Sequence, residues 1–173
     1  NFLLTGHPAK KAVVGAQVEL KRINDGIESW IEHIDRDRPF LLLDVGAGEL
    51  RLQHGGAVLR RAQVLDLSAE GFAGAHQRLR SRLRRYGAVP FETIASGPFD
   101  WEHYLAREAD DECALWFDGG MLVYAHDAWA PAPSPAIRLT PVDLRALFDA
   151  VDDSVEIVLL PAGWDVMQVK EED

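Results

Sequence analysis

The stretch Phe40-Leu41-Leu42-Leu43-Asp44-Val45-Gly46-Ala47-Gly48 constrains this chain most, because an apolar run stops at a carboxylate and opens into two glycines spaced by one residue. Such a run reads as a buried strand, and glycine tolerates the positive φ and close backbone approach of the tight turn that follows it. Turns at strand ends are where α/β sheets bind nucleotides. A second acidic strand end, Val64-Leu65-Asp66-Leu67-Ser68, places Asp66 22 residues after Asp44. That is near the spacing of ~20 at which a nucleotide-binding sheet sets a carboxylate on ribose hydroxyls. The same residues also fit a plain strand-to-strand turn at Asp44 to Gly48, and support of a helix cap by Asp66 beside Ser68.

At 173 residues the chain has the size of one domain, large enough to bury a core without metals or disulfides. One unit over 1–173 is expected. With 47% hydrophobic and 27% charged residues, the composition excludes global disorder and fibrous architectures. No run reaches the ~18 apolar residues of a membrane-spanning helix, and the first residues lack the basic start and apolar core of a secretory signal. Asn1 is not an initiator residue, so the start is expected to be processed or trimmed. The lone Cys113 rules out an intramolecular disulfide and fits a reducing compartment, so a cytoplasmic location is expected. Within Cys113-Ala114-Leu115-Trp116-Phe117 it reads as a buried, unreactive thiol. The net charge of −10 argues against nucleic acid and anionic membranes. A small-molecule substrate or a basic protein remains as partner.

Apolar spacing predicts an amphipathic helix over 16–34 with Leu20, Ile23, Ile27, Trp30, Ile31 and Ile34 on one face. Strand 40–45 follows. Ser68 is expected to cap a second helix running to Tyr86 through Phe72, Ala75, Leu79 and Leu83, with Leu67 and Phe72 as a hydrophobic staple. Residues 89–95 read as a strand, Asp100 as the cap of a short helix, and 113–117 as another strand. Three prolines make 130–136 an exposed connector. Thr140-Pro141-Val142-Asp143 caps a third helix, facing Leu144, Leu147, Phe148 and Val151 inward. Val155 to Leu160 and Trp164 to Val169 flank Pro161-Ala162-Gly163 as a terminal antiparallel hairpin.

Leu42-Leu43-Asp44-Val45-Gly46-Ala47-Gly48, then Val64-Leu65-Asp66-Leu67-Ser68 leading into a helix, then an apolar strand ending near Asp118, resemble the class I S-adenosylmethionine-dependent methyltransferases. The resemblance implies an α/β fold, a three-layer sheet with flanking helices. It implies S-adenosylmethionine as cofactor, with Gly46 and Gly48 approaching its methionyl part, Asp66 holding the ribose hydroxyls, Asp44 orienting the turn and Asp118 closing a later strand beside it. His126, an imidazole able to take a proton at neutral pH, is the candidate base for methyl transfer to a small molecule. Enzymatic activity is left open by the residues themselves.

The alternation in Glu49-Leu50-Arg51-Leu52-Gln53 is that of a strand. Residues 40–45, 49–53 and 57–65 then form an antiparallel meander in an α+β order like that of ribonuclease H or actin. On that order Asp44 serves a metal or phosphate site, or the chain is a non-catalytic acidic interaction protein, an inhibitor or immunity-type partner of a basic protein. His54 and His103 have no partners at metal-ligand spacing, so no metal site is expected. Arg78, Arg80, Arg82, Arg84 and Arg85 read as a solvated helix face, and Trp129 as an exposed contact beside the proline connector.

Overall fold

The computed structural model describes residues 8–84, 113–125 and 135–165. Along the chain these form α1 (Pro8–Asp35), β1 (Pro39–Asp44), β2 (Glu49–His54), β3 (Ala57–Gln63), β4 (Asp66–Ser68), β5 (His76–Arg84), β6 (Cys113–Phe117), β7 (Leu122–Tyr124), β8 (Ala136–Arg138), α2 (Pro141–Ala150) and β9 (Glu156–Leu160). The described strands make one sheet in the order β3-β2-β1-β9-β5-β6-β7-β8-β4. The architecture is mixed α/β and rich in strand.

The edge strands β3 and β4 are consecutive in the chain, joined only by Val64 and Leu65. That link bonds to both ends of the sheet, Val64 N–H to Gly48 O at 2.9 Å and Leu65 N–H to Arg138 O at 2.8 Å. A sheet whose first and last strands are neighbours in sequence has to curl. The curl wraps a core in which Leu41, Leu43, Leu115, Phe117, Ile137 and Ile157 meet Leu144, Leu147 and Phe148 of α2. Alternate residues of the two central strands point the other way: Phe40, Leu42, Val158 and Leu160 pack against Ile27, Trp30 and Ile34 of α1 and against Trp164. Each fully buried leucine contributes about 1.5–3 kcal/mol, so the apolar run 40–43 marks the most heavily buried strand.

Several expectations are corrected here. Residues 49–54 are strand β2, paired antiparallel with β1 from Asp44 opposite Glu49 to Pro39 opposite His54. A cofactor-binding α/β unit needs a helix after the glycine turn. This chain instead makes the meander β1-β2-β3 of the rival order, and the flanked three-layer sheet gives way to a curled one.

The helix expected from Ser68 to Tyr86 is not formed. Gly71 and Gly74 take φ of 79° and 72°, a left-handed backbone that no right-handed helix contains, and β5 follows. Gln77 and Leu79 are buried there while Arg78, Arg80 and Arg82 are exposed; the register shifts between Leu79 and Ser81, so Arg80 lies over the Trp116 ring and Arg82 over that of Phe148 in α2 instead of sharing one face. Of the expected terminal hairpin, the 155–160 strand forms as β9, flanked by β1 (parallel) and β5 (antiparallel), and most of the 164–169 strand lies outside the described residues.

Other expectations meet the structure more simply. α1 is longer than the 16–34 helix expected. Strand 113–117 forms as β6, and the turn after it leads into β7. Thr140 caps α2, its Oγ1 accepting from Asp143 N–H at 3.1 Å with Pro141 in the first turn. Strand 89–95, the helix at Asp100, His103, Trp129 and residues 130–134 of the connector lie outside the described residues, while Pro135 and Ala136 are buried, Ala136 opening β8, so that end of the connector is not exposed.

Candidate functional site

The turn after β1 is built around Asp44, only 2% exposed. Its Oδ1 accepts from Ala47 N–H at 3.0 Å and from Trp164 Nε1–H at 3.3 Å, and its Oδ2 accepts from Arg51 at 3.0 Å. The carboxylate closes its own hairpin and ties the segment after β9 to it. Arg51 also donates to Glu49 at 3.0 Å, and Arg61 to the same carboxylate oxygen at 3.0 Å. The Arg51 hydrogen bond, with the Arg61 contact adding to it against a smaller effect of burial, holds the Glu49 carboxyl below its usual range.

The remaining expected site residues do not gather around this turn. Gly46 lies in it, and Gly48 takes φ of 65° while its carbonyl accepts from Val64 N–H and Gln63 Nε2. Asp66 is exposed and opens edge strand β4, paired with β8, instead of ending a strand beside β1. Asp118 sits in the β6–β7 turn, where its Oδ1 accepts from Arg78 N–H at 3.0 Å. His126 lies outside the described residues.

A second polar cluster clamps α1 to the sheet. His33, 2% exposed, faces the Ser29 carbonyl with Nδ1 at 2.6 Å and Glu156 of β9 with Nε2 at 3.0 Å. Arg36 donates to the same Glu156 oxygen at 2.8 Å, and the Ser29 hydroxyl lies 3.2 Å from His76 Nδ1 of β5. Ser29 is 6% exposed beneath the helix, so this serine–histidine contact holds the helix and offers no open nucleophile. Among the described residues no three His, Cys, Asp or Glu side chains come together as metal ligands would. Cys113 is buried in β6.

One open concavity lies beside the Asp44 turn. It is a cleft of about 360 Å³ with a floor of Val45, Leu67, Leu159, Pro161 and Ala162 and a rim that includes Glu19, Arg22 and Glu70. Here α1 crosses the end of β9 at Gly26, where a Cβ would sit 2.7 Å from the Leu159 carbonyl oxygen. That close approach lays the preceding turns of α1, with Glu19 and Arg22 3.6 Å apart, along the cleft.

No protein-family model matches the chain, and no curated protein does. Solved structures similar to it include L,D-transpeptidase 1 of Mycobacterium tuberculosis, 17% identical with a TM-score of 0.49, matching 71% of this chain and 62% of that one. L,D-transpeptidases of Stackebrandtia nassauensis (10% identical, TM-score 0.47, covering 72% of this chain and 56% of that one) and Enterococcus faecium (12%, 0.45, 70% and 49%) also match. The chain thus spans less than two thirds of the length of these proteins. Likenesses this low carry neither a fold nor an activity over to it.

β2 stands where the cofactor fold needs a helix. The resemblance to S-adenosylmethionine-dependent methyltransferases is therefore corrected. The cofactor falls with it; of the residues expected to engage it, Asp66 and Asp118 stand apart from the Asp44 turn, and His126 lies outside the described residues. The acidic inhibitor of a basic protein gains no support either.

Sequence reasoning missed Arg51, the Ser29–His33–His76–Glu156 cluster and the α1 rim of the cleft. His33 had a signal, a polar residue one turn from Trp30 on the sheet-facing side of α1. Arg22 had none, because what it borders is assembled from four separate stretches of chain.

Proposed function

We propose that this chain is a binding domain whose cleft between α1, the β1 turn and the end of β9 takes a small zwitterion with an aliphatic body, an amino acid or the end of a short peptide. The observation that supports this reading is the cleft's composition, five apolar side chains together with the guanidinium of Arg22 and the carboxylates of Glu19 and Glu70. Ligand sites combine a mostly apolar concavity with a few placed charged groups, at volumes of roughly 300–1,000 Å³. Arg22 suits a carboxylate, Glu19 and Glu70 an ammonium group, and the floor an alkyl chain.

The test is titration of isotopically labelled protein with leucine and with leucyl-leucine, followed by amide resonances. Saturable shifts at Val45, Ala69 and Ala162 are expected, and Arg22→Ala should weaken them about tenfold, the loss of one charge-assisted hydrogen bond. Unmoved amides at these three positions with both ligands at millimolar concentration would overturn the reading.

A further inference from the structure

Among the described residues, no element covers the first turns of α1. Residues 11–22 are exposed throughout, while Ile23, Gly26, Ser29 and His33 further along face the sheet and are buried. The sheet therefore holds only one side of the second half of this helix. An apolar stripe runs beside that side: Val13, Leu20, Ile27 and Ile31 recur at spacings of seven, seven and four, which keeps them near one line on a helix, with Ile27 half-buried at the border of the sheet contact. Val13, Leu20 and Ile31 are 57%, 47% and 52% exposed. Isolated exposed apolar residues need no explanation, whereas a line of them along a 28-residue helix marks a contact surface.

The charges of the helix indicate what covers the stripe. Up to residue 22 it carries Lys10, Lys11, Lys21 and Arg22 against Glu19, and from residue 23 on Asp25, Glu28, Glu32 and Asp35 with no lysine or arginine. Two such helices side by side in parallel set like charge against like. Reversed, each basic half lies along the acidic half of the other, and Val13 comes opposite Ile31 with both Leu20 side chains near the middle. We infer that α1 pairs antiparallel with α1 of a second copy of this chain. A two-fold dimer of this kind is self-complementary: what one helix offers, the other accepts. The cleft stays open, because Glu19 and Arg22 lie on the sheet-facing side of α1.

Sedimentation velocity over a concentration series tests this. A reversible dimer is expected at submillimolar protein, and Leu20→Glu, a change at an exposed position, should weaken it at least about tenfold while leaving the circular dichroism spectrum unchanged. A chain monomeric throughout, or a Leu20→Glu dimer as tight as the parent, would overturn the inference. Disulfide trapping tests direction, since Cys113 is buried and out of reach. Mixed Val13→Cys and Ile31→Cys chains should cross-link to each other, and preferential linkage of Val13→Cys to itself would show a parallel pair and overturn the antiparallel one.

Discussion

Two turns of this protein look alike in sequence and differ in what their carboxylates hold. Asp44 stands three residues before Ala47, in a turn with glycines at 46 and 48, and Asp118 precedes Gly119 and Gly120. Each follows an apolar strand and each leads into an antiparallel partner. Asp44 bonds within its own hairpin, to Ala47 N–H and the Arg51 guanidinium, and among the described residues reaches outside it to Trp164. Asp118 instead bonds across to the next strand, its Oδ1 to Arg78 N–H and its own N–H to the Arg78 carbonyl. A carboxylate at a strand end followed by glycine is thus as well suited to tying backbone N–H groups as to holding a ligand. Where the freed N–H lies decides whether the tie is local or long-range.

Asp44→Ala is expected to separate the two turns most. Removing one partner of a buried ion pair costs about 3–5 kcal/mol, and here it also strands Ala47 N–H, Trp164 Nε1–H and part of Arg51. Urea unfolding measures it, and a loss below ~1 kcal/mol would show that the turn closes without its carboxylate.

The second turn breaks more readily at its glycine. A Cβ on Gly119 would overlap the carboxamide of Gln77, a buried side chain whose Oε1 accepts from Met121 N–H at 3.1 Å. Gly119→Ala should therefore cost about 1–3 kcal/mol, as overpacking does. Combined with Gln77→Ala it should cost less than the two changes summed, and strict additivity would deny the contact. Asp118→Ala comes next at about 1–2 kcal/mol, one charge-assisted bond to a backbone N–H, and amide exchange at Arg78 should report it locally.

The smallest effect is a pH dependence at the first turn. Contacts from Arg51 and Arg61 depress the folded pKa of Glu49, so its contribution is present above the unfolded value of ~4.3 and is lost as the pH falls through the depressed one. Glu49→Gln should lose at most ~1 kcal/mol at neutral pH. The difference from the parent should shrink toward zero in acid, and a gap that widened there would have the wrong sign.

The parts of the fold legible in the sequence are those fixed by neighbours. The 40–44 run is a strand because nothing polar interrupts it. The α2 cap is written in Thr140, Pro141 and Asp143, and the alternation 49–53 forecasts β2. The β5 region misled because Phe72, Ala75, Leu79 and Leu83 keep helical intervals, while the interleaved arginines and the two left-handed glycines that contradict them are weaker signals. No local pattern tells β9 to lie between β1 and β5, for that position is chosen by burial on both faces at once. The cleft follows from the same choice, which is why the sequence pointed to Asp44 as a binding residue and not to the rim beside it.

The position of β9 also sets the order in which the molecule can be completed. β1 leaves the ribosome well before its parallel neighbour, residues 157–160, which follow more than a hundred residues later in synthesis. Until then the β1-β2-β3 meander can form but one side of β1 stays unpaired, and the apolar faces meant for α2 and β9 stay open. Contacts so distant in sequence close slowly, so the half-made chain carries an adhesive strand edge. For this protein, the interval between making β1 and making β9 is when aggregation competes with folding.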